Sequence, residues 1–208
     1  MCRNPLDQLI SLWHFLLHCQ CCHENGMSQL SLEEGFELFC NGVQSFGPFW
    51  DHVLEYWKAS LANPNKVLFL KYEELKNDDI VNFEHLKKLA EFLGYPFSAD
   101  EERDGVIEQA SRLCSFENLK DVLVNKTGKH KSGVQNSSYF REGKVGDWAN
   151  FLTPSMGEYL NNLVEEKLAR SGLTFRPGLL DQLGSHPAQK GSRAHMVHQN
   201  VVVSVHNT

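Results

Sequence analysis

Leu6, Leu9, Ile10, Trp13, Leu16 and Leu17 fall on one stripe of a 3.6-residue period, which predicts an amphipathic helix near the start of the chain. Asn4 supplies its N-cap, and Pro5 takes the first helical position, where a missing N–H is harmless. Asp7 and Ser11 recur on the opposite face, with Arg3 at the helix mouth. Ser31 and Glu34 have capping-box spacing. Pro48 opens a further helix whose inner face is Trp50, Val53, Leu54, Trp57 and Leu61. After the turn Asn63-Pro64-Asn65, the unbroken apolar run Val67–Leu70 predicts a buried parallel strand. Phe83, Leu86, Leu89, Ala90 and Leu93 predict a helix stopped by Gly94. Ser98 and Glu101 form a second capping box, for a helix expected to run toward Leu113 across Gly105. Residues 124–138 are polar and contain Gly128 and Gly133, the composition of a mobile loop. Thr153 and Pro154 start a last helix with Met156, Tyr159, Leu160, Leu163 and Leu168 inward, ending at Gly172. Residues 176–208 are rich in His, Gly, Ser and Gln without a helical period, and read as a disordered tail.

Composition narrows the function classes. With 208 residues, 41% of them hydrophobic, the chain can enclose one substantial core, which points to a single domain over residues 1–175. A net charge of -6 speaks against general nucleic-acid binding, which needs a basic face. No apolar run has the length of a membrane span, and Met1 leads into Arg3 without a secretory pattern, so a cytoplasmic protein is expected. Cys19, Cys21 and Cys22 cluster between His18 and His23 in the manner of a metal module. Adjacent cysteines reach one tetrahedral centre poorly, however, and no second Cys/His pair follows at finger spacing. A variable loop is the favoured reading, and no metal is expected.

Two segments carry candidate chemistry. The planar fork of Arg3 suits a phosphate, although a capped amphipathic helix alone would account for that stretch. In Tyr139-Phe140-Arg141-Glu142-Gly143-Lys144-Val145-Gly146-Asp147-Trp148, two glycines flank a basic step, and such a loop can turn backbone N–H groups toward an anion. Taken together with Cys2-Arg3-Asn4-Pro5, Ser11-Leu12-Trp13-His14-Phe15, Gly47-Pro48-Phe49-Trp50, Val67 to Leu75, Leu113 to Leu119 and Leu152-Thr153-Pro154, these segments resemble the plant soluble branch of the cytosolic sulfotransferases, the flavonoid and steroid sulfotransferase-like enzymes. The resemblance covers Cys2 to about Phe175.

That resemblance implies an α/β, P-loop-NTPase-like fold with a central parallel sheet flanked by helices, its first strands and phosphosulfate loop missing. It implies the sulfonyl donor 3′-phosphoadenosine 5′-phosphosulfate (PAPS), a small hydroxylated acceptor such as a flavonoid or steroid, and no metal. By position, Arg3 and Ser11 match the 3′-phosphate ligands, and Tyr72, Ser115 and Phe116 match the adenine end. Arg141 and Gly143 match an Arg-Lys-Gly element that closes over the 3′-phosphate. Two departures stand out. Glu142 replaces the lysine of that element, and Ala149 and Pro154 replace residues of the family's dimer motif, so a monomer is expected. The family's general base lies upstream of Arg-Asn-Pro, so no catalytic residue is assigned, and His14 and His52 read as packing or surface residues. Two function classes follow: a sulfotransferase polypeptide, N-terminally truncated and impaired, or a non-catalytic remnant that binds 3′-phosphoadenosine nucleotides.

Overall fold

The computed structural model describes residues 1–18, 30–76 and 79–175. The Cys19–His23 cluster and the segment 176–208 lie outside the described residues. The described elements are α1 (Pro5–His18), α2 (Leu32–Cys40), α3 (Phe49–Ala62), α4 (Asp79–Phe92), α5 (Ala99–Arg103), α6 (Val106–Leu113), α7 (Phe116–Asp121), α8 (Leu123–Thr127) and α9 (Pro154–Leu168). Single 3₁₀ turns occupy Asn136–Tyr139 and Asp147–Asn150.

The capping signals are realised as read. The Leu6 N–H donates to Asn4 Oδ1 at 2.9 Å. Both capping boxes close, at Ser31/Glu34 and at Ser98/Glu101. Thr153 accepts from the Met156 N–H, with Pro154 in the first turn. The apolar stripe of α1 then forms the middle of the core: Leu6, Leu9 and Ile10 pack with Phe39 of α2, Phe49, Trp50 and Val53 of α3, Trp148, and Leu160, Val164 and Leu168 of α9. Buried on that stripe, α1 is fixed against α2, α3 and α9, and its opposite face is left to build a site.

In the run Val67–Leu70, Leu68 and Leu70 are buried and Val67 carries a lone bridge, but no continuous strand forms. The Cys2 N–H donates to Leu70 O at 2.8 Å, and the Tyr72 N–H donates to Cys2 O at 2.8 Å. That is one parallel bridge, Cys2 to Lys71. Asn4 turns the chain into α1 two residues later, so this pairing cannot propagate. Among the described residues the expected multi-residue parallel sheet is not seen; this bridge and an antiparallel one between Lys129 and Gln135 join described partners.

Three further expectations are corrected. The helix expected to cross Gly105 breaks there, because Gly105 adopts φ 74°, a left-handed conformation that a helix cannot include. Residues 124–138 are built rather than featureless: most of α8 lies in them, and the His130 N–H donates to Val134 O and the Asn136 N–H to Gly128 O. The last helix ends at Leu168, four residues before Gly172, with left-handed Arg170 (φ 68°) following.

Candidate functional site

Asn4 sets the geometry. Its N–H donates to Glu73 Oε1 at 2.7 Å, which ties the mouth of α1 to the segment after the bridge. Burial pushes the Glu73 carboxyl up, although the Asn4 hydrogen bond and Arg3 oppose it. With α1 anchored, Arg3 lies buried at its mouth, 2% exposed. Its guanidinium lies 5.0 Å from the Tyr72 ring centroid, and its Nη2 donates to Lys144 O at 2.7 Å. Nε and Nη1 of Arg3 are buried without a hydrogen-bond partner. Orphaned guanidinium donors at this depth are expensive, and a ligand oxygen is the natural acceptor.

One helical turn further, Asp7 reaches the same place. Its Oδ2 accepts from the Gly146 N–H at 2.7 Å and its Oδ1 from the Trp148 N–H at 3.1 Å, and it lies 4.0 Å from Arg3 Nη2. Burial raises its pKa, against the pull of Arg3 and the two N–H groups. Asp7 thus clamps the loop 143–148 onto α1. Gly146 makes the clamp possible, because its φ of 82° turns the N–H inward where a side chain would be strained.

Arg141 stands across the loop. Its Nη1 lies 2.6 Å from Asp147 Oδ2, its guanidinium sits over the Phe151 ring, and its Nε is buried without a partner. Burial pushes the Asp147 carboxyl up, but Arg141 and the Asn150 amide outweigh it and hold the pKa below its ordinary value. His14 contributes a buried, unpartnered Nε2. Burial, then the neighbouring Arg141, drive its pKa down to about 4, so the ring is neutral at pH 7. A cleft of about 780 Å³ joins these groups, lined by Arg3, Ser11, His14, Tyr139, Arg141 and Lys144 among others.

Of the residues expected at the site, Arg3, Ser11 and Arg141 line this one cleft although they are far apart in sequence. Tyr72 and Gly143 lie against it: the Tyr72 hydroxyl donates to Gly143 O at 3.3 Å beneath Arg3. Ser115 and Phe116 stand one layer away. The Ser115 hydroxyl caps α7, and the buried Phe116 ring packs on Phe140, which lines the cleft, with centroids 5.5 Å apart. Sequence reasoning missed Asp7, Asp147 and His14 as parts of the site. Asp7 had a signal, its i+4 spacing from Arg3 on a polar face, whereas Asp147 and His14 gain their roles from tertiary contacts alone.

The Sulfotransferase domain family matches residues 1–172. The chain belongs to the sulfotransferase family. Its similarity to plant members is close: 49% identity over 176 residues with cytosolic sulfotransferase 15 of Arabidopsis thaliana, covering 85% of this chain and 47% of that protein. Flavonol 4′-sulfotransferase of Flaveria chlorifolia is 45% identical over 176 residues, covering 84% of this chain and 53% of that protein. Among solved structures, mouse sulfotransferase SULT7A1 complexed with PAP aligns with a TM-score of 0.64 at 28% identity, over 81% of this chain and 56% of that one. This sulfotransferase chain thus spans about half the length of the curated relatives it matches. Among the described residues of this family member, no helix is long and apolar enough to cross a membrane, and no cluster of three or more His, Cys, Asp or Glu could hold a metal.

Proposed function

We propose that these residues form the 3′-phosphoadenosine end of the donor site of a cytoplasmic, monomeric sulfotransferase that uses PAPS and sulfonates a hydroxyl of a small acceptor such as a flavonoid or steroid. One observation carries the reading: two buried guanidinium donors of Arg3 lack acceptors in a cleft shared with Ser11 and Arg141. A 3′-phosphate supplies acceptors of the right charge. Arg3 holds it through Nε and Nη1, Ser11 donates its hydroxyl, and Arg141 adds Nε, each charge-assisted bond contributing about 1.5–3 kcal/mol. Gly143 leaves room for close approach, and Tyr72, Ser115 and Phe116 form the side toward adenine. The parallel Cys2–Lys71 bridge beside Arg3 and Tyr72 supports placing this site at the carboxyl end of a parallel strand.

Bound PAPS supplies an activated sulfonyl group, and transfer also requires a base for the acceptor's proton. His14 is unsuited to that role, since burial beside Arg141 makes it a poor proton acceptor. Nucleotide binding is therefore the part of this reading that the residues named here carry. Calorimetry tests the binding: adenosine 3′,5′-bisphosphate (PAP) should bind more tightly than adenosine 5′-monophosphate, and Arg141→Ala should remove the difference. Equal affinities in the unaltered chain would sink the assignment.

A further inference from the structure

Every cation at the cleft already has a carboxylate against it. Arg3 faces Asp7 at 4.0 Å, Arg141 faces Asp147 at 2.6 Å, and Lys144 Nζ faces Glu142 Oε2 at 3.1 Å. These carboxylates offset much of the positive charge around the cleft, which weakens its pull on a phosphate dianion. Arg3 Nε and Nη1 and Arg141 Nε can meet an anion with their pairs intact, so a further cation has to come from parting one of them.

The three pairs differ in how readily they part. The Arg3 and Asp7 side chains are 3% and 2% exposed, and Asp7 is further held by two backbone N–H groups. Arg141 and Asp147 are 20% and 7% exposed, with Asn150 also bonded to Asp147. Separating either pair would strand a charge away from water. Lys144 and Glu142, in contrast, are 46% and 45% exposed, so both ends can be handed to solvent at small cost. Their pairing follows from the local chain: residues 142 and 144 flank Gly143, and both line the cleft. The main chain of Lys144 is fixed independently, because its carbonyl accepts from Arg3 Nη2 at 2.7 Å. The lysine is therefore held beside Arg3, while its ammonium is free to exchange partners.

We propose that Lys144, released from Glu142, is a third cation on the 3′-phosphate, and that Glu142 competes with the phosphate for it, so that this pair sets how tightly the chain holds 3′-phosphorylated nucleotides. The inference rests on the 3′-phosphoadenosine reading above. It resolves the difficulty raised by a carboxylate at position 142: the charge lost there is supplied two residues later, and Glu142 acts as a tethered competitor that swings to water when the nucleotide binds.

Calorimetric titration of PAP and of adenosine 5′-monophosphate into the unaltered chain, Lys144→Gln and Glu142→Gln at low salt tests this. Both substitutions sit on half-exposed side chains and keep the Lys144 carbonyl, so the fold should survive. Lys144→Gln should weaken PAP about tenfold, the equivalent of one charge-assisted hydrogen bond, and leave the monophosphate unchanged. Glu142→Gln should tighten PAP a few-fold by removing the competitor. If the unaltered chain prefers PAP and Lys144→Gln keeps that preference, or Glu142→Gln does not tighten PAP, this inference fails alone. Equal binding of the two nucleotides by the unaltered chain overturns the nucleotide reading and this inference with it.

Discussion

Asp7→Ala is the substitution whose cost is most directly fixed by the geometry. Three things are lost together. The Gly146 and Trp148 N–H groups lose acceptors at 2.7 and 3.1 Å, and Arg3 loses its nearest carboxylate at 4.0 Å. Hydrogen bonds to a charged acceptor contribute about 1.5–3 kcal/mol each, which puts the two N–H groups together at about 3–6 kcal/mol. Against this, Asp7 itself is costly to bury, as its raised pKa records, and alanine removes that penalty. The Arg3 contribution is modest at 4.0 Å, but breaking a buried pair leaves an uncompensated charge, and such losses run to about 3–5 kcal/mol. These costs overlap, since they describe one buried carboxylate, and do not add, so a destabilisation of about 3 kcal/mol or more is expected. Asp7→Asn keeps one acceptor and should cost about half as much. Urea unfolding followed by tryptophan fluorescence measures both, with Trp148 placed beside the perturbation. A loss below about 1 kcal/mol for Asp7→Ala would refute the claim that this carboxylate clamps the loop to α1.

Other expectations follow from single contacts. Gly157→Ala would place a Cβ 2.9 Å from Cζ3 of the buried Trp148 ring, and should destabilise by about 1–3 kcal/mol in the same unfolding assay. Ser31→Ala removes the side chain that accepts from the Glu34 N–H and should cost about 1 kcal/mol, also read from the urea midpoint. The lowered pKa of His14 means that the unfolded chain binds its proton first, so stability is full above the ordinary histidine range and falls as pH drops from 6.5 toward about 4. Because His14 is only partly buried, the loss should be about 1–2 kcal/mol; unfolding midpoints across that window should flatten in His14→Gln.

The helices were legible because their signals are local. Asn4, Ser31, Ser98 and Thr153 each sit at an N-terminus and bond as their side chains allow, and Leu6, Leu9 and Ile10 of the α1 stripe are buried where its period puts them. Misreadings arose where one backbone angle or a distant partner decides. Gly105 could have been tolerated within a helix, but its left-handed conformation splits one helix in two. Within Val67–Leu70 two residues, Leu68 and Leu70, are buried, yet how far a strand pairs depends on its neighbour, and Asn4 turns the Cys2 segment away after a single bridge. Arg3, Ser11 and Arg141 could be named from segment resemblance. Their enclosure by Asp7, Asp147 and His14 depends on contacts between α1 and a loop some 140 positions away, which no local pattern encodes. The replacement of lysine by Glu142 was visible as a departure, while its pairing with Lys144 required coordinates.

The central claim is that Arg3, Ser11 and Arg141 converge on one 3′-phosphate. A crystal structure of this chain grown with PAP tests it most directly. The 3′-phosphate should lie inside the 780 Å³ cleft, with its oxygens within about 3.2 Å of Arg3 Nε or Nη1, of Ser11 Oγ and of Arg141. A nucleotide seated with its 3′-phosphate in solvent, or bound away from Arg3, would contradict it.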